Sequence, residues 1–288
     1  MVADPTLAAR NLAGLDELEL PREPPRRRTS RAWSSTWPKL AAIVIAVGAW
    51  QLVVASHWRP DGILPGPGPV FSDLWRQMHT AVFYEEIGTT MRRAVVGFAA
   101  ALVIGTVLGL AVSRVGALRS AVGSLITGLQ TMPSIAWFPL AILLFAPSEG
   151  AILFVVVLGA APAIANGLIS GVDYVPALLL RAGRALGASG LRLYRHVVLP
   201  AALPAYVSGL KQGWAFAWRS LLAAELLVAI AHRPSLGLVL QHERNVNDST
   251  GLLATMIVIL ALGIGVNALF NRVNTVIRQR WGVAGDGG

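Results

Sequence analysis

The stretch RAGRALGASGLRLYRHVVLP, residues 181–200, carries four arginines within fifteen positions and ends in a proline. Its neighbours on both sides are long apolar runs. Charged side chains are costly at membrane depth, so the stretch must lie outside the bilayer. We therefore interpret it as a polar loop between two membrane spans, and the contrast with its surroundings favours a docking surface.

Small residues divide this loop into two short helices. The pattern predicts a helix over 176–186 and a second helix over 191–198 that Pro200 ends. Between them lies a corner, Gly187-Ala188-Ser189-Gly190, with almost no side-chain bulk. Its backbone could enter a groove on a partner, while the flanking arginines pair with acidic groups. The alternative is a solvated basic loop that only sets membrane topology.

Composition places the chain among membrane proteins. Of its 288 residues, 55 % are hydrophobic and 14 % are charged, whereas soluble domains have about 25 % charged residues. The mean hydropathy is +0.60. Cysteine is absent, which excludes disulfides and thiolate metal sites. The net charge of +9 does not indicate nucleic-acid binding, because the basic residues are divided among apolar runs.

Apolar runs near the ~20 residues needed to cross a bilayer predict an all-α membrane protein with about six spans. We expect these spans at about 40–56, 88–112, 121–145, 150–172, 201–228 and 251–271. The third and fourth are separated only by Pro147-Ser148-Glu149. The expected organisation is a disordered cytoplasmic tail over 1–39, a transmembrane domain over 40–272 and a cytoplasmic tail over 273–288.

The positions of lysine and arginine predict that both termini face the cytoplasm. With the N-terminus inside, the segments 1–39, 113–120, 173–200 and 271–288 hold 16 of the 24 lysines and arginines. The outer segments then hold Arg59, Arg76, Arg92, Arg93, Arg233 and Arg244. Cytoplasmic loops are enriched in these residue types, so the loop 173–200 is expected in the cytoplasm.

Three charged residues, Lys211, Arg219 and Glu225, interrupt the fifth predicted span. Charged residues within a span are candidate functional residues, so we assign all three to a substrate pathway. Arg219 is the deepest, and a cation there suits an anionic substrate. Lys211 and Glu225 lie nearer the ends, where their side chains could reach the interface. Alternatively, Glu225 or a backbone carbonyl neutralises Arg219 in a structural role.

Small residues also recur four positions apart, at Gly105 and Gly109 and at Gly167 and Gly171. This spacing lets helices approach closely, and we expect it to serve packing within one chain rather than a dimer contact.

Motifs for catalysis are missing from the sequence. Neither lysine, Lys39 or Lys211, follows the glycine pattern of a phosphate-binding loop. The five histidines form no HExxH motif or tight cluster with carboxylates. We therefore expect no enzymatic activity, no cofactor and no metal site in this chain.

The arginine-rich loop resembles the cytoplasmic EAA loop of permease subunits in binding-protein-dependent ABC importers. The family pattern is Glu-Ala-Ala, three residues, Gly, nine residues and Ile-x-Leu-Pro. The loop keeps this register, with Arg181 in place of Glu, Gly183 in place of the second Ala and Val197 in place of Ile. The resemblance implies that the loop grips an ATPase through Arg181, Ala182, Gly183, Arg184, Gly187, Ala188, Ser189, Gly190, Leu199 and Pro200.

Other stretches resemble the aliphatic-sulfonate, taurine and nitrate branch of these permeases, namely 63–70, 132–145, 216–227 and 235–241. The resemblance implies a type I importer permease core in the bacterial plasma membrane, surrounded by lipid, that pairs with a second copy of itself. It implies two cytoplasmic ATPase subunits that bind ATP and Mg, and an external binding protein that delivers a small anion such as a sulfonate, taurine or nitrate.

Two other classes of function stay open at this point. An ion-driven secondary transporter would need inverted repeats and midplane carboxylates, and neither is evident. A membrane scaffold without transport would not co-purify with an ATPase.

Overall fold

The computed structural model describes residues 28–114, 116–230 and 233–280. These residues form helices joined by short connections, with no strand in those ranges, which confirms the all-α prediction. The chain divides into two units, 1–58 and 59–288. The first unit contains helix α1 (Arg28–Ala55), so residues 28–39 of the predicted tail are helical. Residues 1–27 of that tail and 281–288 of the C-terminal tail lie outside the described residues.

The second unit is a succession of helices of very different lengths. Its α-helices are α2 (Pro67–Gln77), α3 (Ala81–Arg114), α4 (Gly116–Thr131), α5 (Phe138–Phe145), α6 (Glu149–Asp173), α7 (Ala177–Ala185), α8 (Gly190–Leu193), α9 (Leu199–Leu227), α10 (Leu236–Asn245) and α11 (Ser249–Arg280). A 3₁₀ turn, Ser134–Trp137, precedes α5, and a π turn, Tyr194–Val198, joins α8 to α9.

Helix α6 forms the centre of this unit and packs most extensively against α9 and α3. Its contacts depend on small residues. A Cβ added at Gly105 of α3 would lie 2.6 Å from the carbonyl oxygen of Ala161, and one added at Gly167 would lie 2.5 Å from the Cα of Gly209. Such close backbone approach is typical of helix pairs in lipid. The prediction that these glycines serve packing within one chain is confirmed.

Within the described part of the chain, three helices are long and apolar enough to cross a membrane: α3, α6 and residues 249–272 of α11. A fourth is added if the bent pair 123–131 and 134–145 forms one span. Residues 40–55 of α1 form a shorter apolar helix. The chain is therefore a multi-pass membrane protein. The count of six spans and the cytoplasmic placement of both termini stay predictions.

The predicted third span, 121–145, is not one straight helix. Helix α4 ends at Thr131, the next helical segment begins at Ser134, and the two directions differ by 101°. Pro133 causes the break, because it has no N–H to donate and its backbone is extended, with ψ at 129°. The boundary with the fourth predicted span lies between Phe145, where α5 ends, and Glu149, where α6 begins, and Ser148 caps α6 by accepting a hydrogen bond from the Ala151 N–H.

Candidate functional site

The corner of the arginine-rich loop is closed by a Schellman motif at the end of α7. The N–H of Ala188 donates to the Gly183 carbonyl and the N–H of Gly187 to the Arg184 carbonyl, each at 3.0 Å. Gly187 has a φ of +81°, a left-handed conformation that disfavours residues other than glycine. A Cβ added there meets nothing within 4 Å. The corner therefore needs Gly187 for its conformation and presents an open surface to a partner.

Gly183 allows the two helical parts of the loop to pack together. It is buried, and an added Cβ would lie 2.7 Å from Leu193 and 2.9 Å from Val197. The two positions where the loop departs from the family pattern toward smaller residues, Gly183 and Val197, thus face each other. The close approach explains why a glycine fits here.

The sequence predicted that Pro200 ends the second helical part of the loop, and this prediction is wrong. Residues 190–193 form α8, the π turn over Tyr194–Val198 follows, and α9 begins at Leu199 without a break. Pro200 lies in the first turn of α9, where a missing N–H costs little. The loop corner is thereby joined to α9 by uninterrupted helical backbone.

The surface of the loop combines positive charge with exposed leucines. Leu178 is 71 % exposed, Leu186 is 88 % exposed and Leu191 is 67 % exposed. Of the predicted coupling residues, Gly183 is buried and Ala188, Leu199 and Pro200 are half-buried. The others are exposed: Arg181, Ala182, Arg184, Gly187, Ser189 and Gly190, as are Arg192 and Arg195. Large exposed apolar side chains beside positive charges are typical of a protein interface.

Tyr194 anchors the loop to the helix bundle. Its hydroxyl lies 2.6 Å from the Ser113 hydroxyl at the end of α3. The guanidinium of Arg114 lies over its ring, 4.7 Å from the centroid. An ion pair between Arg119 and Asp173 joins α4 to the same end of α6. Movement of the loop would therefore be transmitted to α3.

Arg219 is exposed on α9, although the helix is predicted to span the membrane. Its Nε donates to the Ala215 carbonyl at 3.1 Å, and its guanidinium lies 5.0 Å from the centre of the Phe216 ring. The side chain borders two cavities, of about 670 Å³ and about 370 Å³. A guanidinium at this depth requires polar or aqueous surroundings, so its face of α9 is a candidate pathway surface.

The two cavities differ in their walls. The larger lies between α9 and α11 and is bordered mainly by apolar side chains, including Trp214 and Trp218. The smaller lies where α4 breaks, and its walls come from residues 129–137, from α6 and from α9. Arg219 belongs to both walls.

Lys211 and Glu225 do not contact Arg219 and have polar partners of their own. The Nζ of Lys211 donates to the Asn271 Oδ1 at 2.7 Å, which joins α9 to α11. Glu225 is fully buried, and its carboxylate accepts hydrogen bonds from Arg93 at 2.8 Å, Thr90 at 3.0 Å and the Gly237 N–H at 3.2 Å. Glu225 is therefore paired with Arg93, and the structure does not bring it to Arg219.

Arg93 is the functional candidate that the sequence did not single out. Its side chain is 2 % exposed and also holds Glu149, with Nε and Nη2 at 2.9 Å and 2.8 Å from the two carboxylate oxygens. Arg233 lies 3.3 Å from the same carboxylate. The sequence did contain one signal. A carboxylate buried in a span, such as Glu225, needs a cationic partner. The cationic residues in the second predicted span are Arg92 and Arg93.

Among residues 28–114, 116–230 and 233–280, no group of three histidine or acidic side chains could hold a metal ion.

Comparison with known proteins identifies the family of the chain. Residues 101–283 match the family described as binding-protein-dependent transport system inner membrane component. A putative ABC transporter permease of Methanocaldococcus jannaschii is 29 % identical, over 78 % of this chain and 85 % of the relative. The taurine transport system permease of Escherichia coli is 25 % identical, over 85 % and 94 %. The nitrate import permease of a Synechocystis strain is 26 % identical, over 71 % and 78 %.

A solved structure supports the same fold. The MetNI methionine ABC transporter in an inward-facing conformation contains a chain that matches with a TM-score of 0.58 at 19 % identity. The match covers 67 % of this chain and 94 % of that chain.

Proposed function

Since the chain belongs to the family of inner membrane components of binding-protein-dependent transport systems, we propose that residues 181–200 dock it to a cytoplasmic ATPase subunit. The chain itself is the transmembrane permease of an ABC importer, with a type I permease fold. In the proposed mechanism, ATP-driven closure of two ATPase subunits moves the loop. This movement turns the bundle from inward-facing to outward-facing.

The observation that carries the proposal is the uninterrupted helical backbone from Gly190 to Leu227. An α-helix rises about 1.5 Å per residue, so this run extends roughly 55 Å from the loop corner. Arg219 lies on the same run. A push on the corner therefore displaces the candidate pathway surface directly, and the Tyr194 anchor transmits it to α3 as well.

The chemistry of the loop predicts the partner surface. Its exposed leucines require an apolar groove, and its exposed arginines require carboxylates at the groove margin. ATP and Mg are expected in the partner, because this chain carries no phosphate-binding loop. The loop side is then the cytoplasmic side, in agreement with the distribution of lysine and arginine.

The substrate that we propose is a small anion. The support is the exposed guanidinium of Arg219 at predicted membrane depth together with the taurine and nitrate permeases among the relatives. An external binding protein would deliver this anion to a permease composed of two copies of the chain.

Cross-linking tests the docking surface, since the chain has no cysteine of its own. Ser189→Cys places one thiol on the exposed corner, and a short bifunctional reagent should link it to the ATPase subunit in membranes. Tyr84→Cys is the matched control, because Tyr84 is also exposed. It lies about 30 residues before Arg114, at the end of α3 that is opposite the loop. Equal linkage from both positions, or none from Ser189→Cys in a transporting complex, would contradict the proposal.

A further inference from the structure

The charged side chains around Glu149 carry more positive than negative charge. Arg92, Arg93 and Arg233 lie 3.9 Å, 2.8 Å and 3.3 Å from its Oε1. The second carboxylate of the group belongs to Glu225, which Arg93 also holds. Three guanidinium groups therefore face two carboxylates, which leaves an excess of one positive charge within these five side chains.

The excess charge lies on the two outer arginines, Arg92 and Arg233. Arg93 is buried, and its Nε, Nη1 and Nη2 all donate to carboxylates. Arg92 and Arg233 are exposed, and the 3.9 Å between Arg92 and Glu149 exceeds hydrogen-bonding distance. Each guanidinium carries five N–H donors, so both can also bind an anion from outside the group.

The three arginines and Glu149 border one small cavity of about 140 Å³. Small-molecule sites typically enclose about 300–1,000 Å³, so this cavity can hold only one end of a ligand. Its other lining residues are Val96 and Leu153. Val96 follows Arg92 by four residues along α3, and Leu153 follows Glu149 by four along α6. Each valine or leucine thus lies about one helical turn further into an apolar span than the charged residue before it.

An exposed apolar stripe continues from this cavity along α3. Val96, Ala99 and Val103 are exposed, and they follow Arg92 by four, seven and eleven residues, the spacing of one helix face. Eleven residues of α-helix extend about 16 Å. This is close to half of the ~30 Å hydrocarbon core of a bilayer. The stripe therefore has the length of one leaflet, with the arginines at its outer end.

We propose that the cavity binds the headgroup of an anionic phospholipid, with the phosphate between Arg92 and Arg233 and an acyl chain along Val96, Ala99 and Val103. The planar forks of two guanidinium groups match phosphate oxygens. An acidic side chain of a protein partner would complement the arginines but not the stripe that continues from them. The site is separate from the ATPase-docking loop, which lies at the opposite end of α3.

Site-specific fluorescence quenching tests the lipid site, since the chain has no cysteine of its own. Ala99→Cys carries one bimane label on the stripe. The labelled chain, in complex with cysteine-free ATPase subunits, is placed in phosphatidylcholine vesicles that contain equal shares of either brominated phosphatidylglycerol or brominated phosphatidylcholine. Brominated phosphatidylglycerol should quench more strongly. The preference should be about fivefold for each arginine that contacts the phosphate.

Variants of the outer arginines locate the headgroup. Arg92→Gln and Arg233→Gln should each lower the preference about fivefold, and the double variant should show none. Arg92→Lys keeps the charge and should retain part of the preference. All of these variants leave the ion pairs of Arg93 in place. The control, Arg244→Gln, removes an exposed charge on α10 and should leave the preference unchanged.

Three results would overturn the proposal. Equal quenching by the two brominated lipids would show that the stripe contacts lipid without selecting a headgroup. No quenching by either lipid would show that protein covers the stripe. A double variant that assembles and retains the preference for phosphatidylglycerol would show that these arginines do not hold the phosphate.

Discussion

Glu243 lies on α10, which is not among the apolar spans, and its side chain is 8 % exposed. The Thr255 hydroxyl donates to its Oε1 at 3.0 Å, whereas Oε2 has no hydrogen-bond partner among the described residues. Burial raises the pKa of Glu243 to about 7, against the opposing hydrogen bond from Thr255. The charges of Asp248, Asp73 and Glu86 push the pKa in the same direction as burial. The folded protein therefore favours a neutral Glu243.

The raised pKa predicts how stability depends on pH. Between pH 4.5 and about 7 the unfolded chain loses this proton while the folded chain retains it, so stability falls as pH rises through that window. Glu243→Gln keeps the shape but cannot ionise, and it should raise the midpoint of thermal unfolding at pH 8. The gain should be a few degrees, since about 1 kcal/mol corresponds to roughly 2–4 °C at this size.

The measurement is thermal unfolding of the detergent-solubilised chain at pH 5 and pH 8. The difference between the variant and the parent should be small at pH 5 and largest at pH 8. A Glu243→Gln variant that is equally destabilised at both values would show that the carboxylate, and not the acid, is the stabilising form.

At single residues, the sequence predicted a local conformation but missed a long-range contact. Gly187 could be identified because its role depends on local backbone conformation, which spacing in the sequence reports. Glu225 and Arg93 could not be paired, because they are 132 residues apart and meet only after α3 and α9 pack. Arg93 instead received a topological role, since a charge near the end of an apolar run suggests an interface.

Among the helices, the ion pairs of Arg93 join three of them: α3, α6 and α9. Arg93 of α3 holds Glu225 of α9 and Glu149 at the start of α6. The Thr90 hydroxyl also accepts a hydrogen bond from the Leu236 N–H at 3.0 Å, which fixes the start of α10. Four helices thus converge on one buried charge cluster at the end of the bundle opposite the arginine-rich loop.

Removing Arg93 should be much more damaging than removing the whole ion pair. Arg93→Met leaves the buried carboxylate of Glu225 without a cation, a change that costs about 3–5 kcal/mol. We expect a large loss of assembled protein in the membrane. The double variant Arg93→Met, Glu225→Met should recover most of that loss, because two apolar side chains can replace a buried ion pair. Glu149 keeps Arg233 in both variants.

Membrane abundance and thermal unfolding of the parent, both single variants and the double variant form a complete cycle. Additive losses in the double variant would contradict a direct pair between Arg93 and Glu225. The matched control is Arg92→Met, since Arg92 is 58 % exposed and lies 3.9 Å from Glu149. It should leave abundance nearly unchanged.

Helix positions were largely predictable from apolar runs, but helix continuity was not. The polar residues Pro147-Ser148-Glu149 suggested a break, which the structure places between Phe145 and Glu149, whereas the turn at Pro133 was hidden inside an apolar run. Pro162 and Pro204 lie within α6 and α9 without ending them. A proline alone therefore does not locate a break, because neighbouring helices determine whether the freed carbonyl is tolerated.

For the whole molecule, we propose that the two ends of the bundle are coupled mechanically. The exposed loop corner, the continuous helical run and the candidate pathway surface at Arg219 are joined by helical backbone from Gly190 to Leu227. The charge cluster around Arg93 holds the opposite end of the bundle together. Docking of an ATPase at one end can then turn helices against each other without unfolding either end.

The most direct measurement compares Gly187→Trp with Gly187→Asn for ATPase co-purification and ATP-driven uptake at matched membrane abundance. Asparagine tolerates the left-handed backbone of this position with little bulk, so Gly187→Asn should retain both activities. Gly187→Trp places a ring on a corner that is open in this chain and should abolish both. Normal co-purification and uptake in the Gly187→Trp variant would contradict docking through this loop.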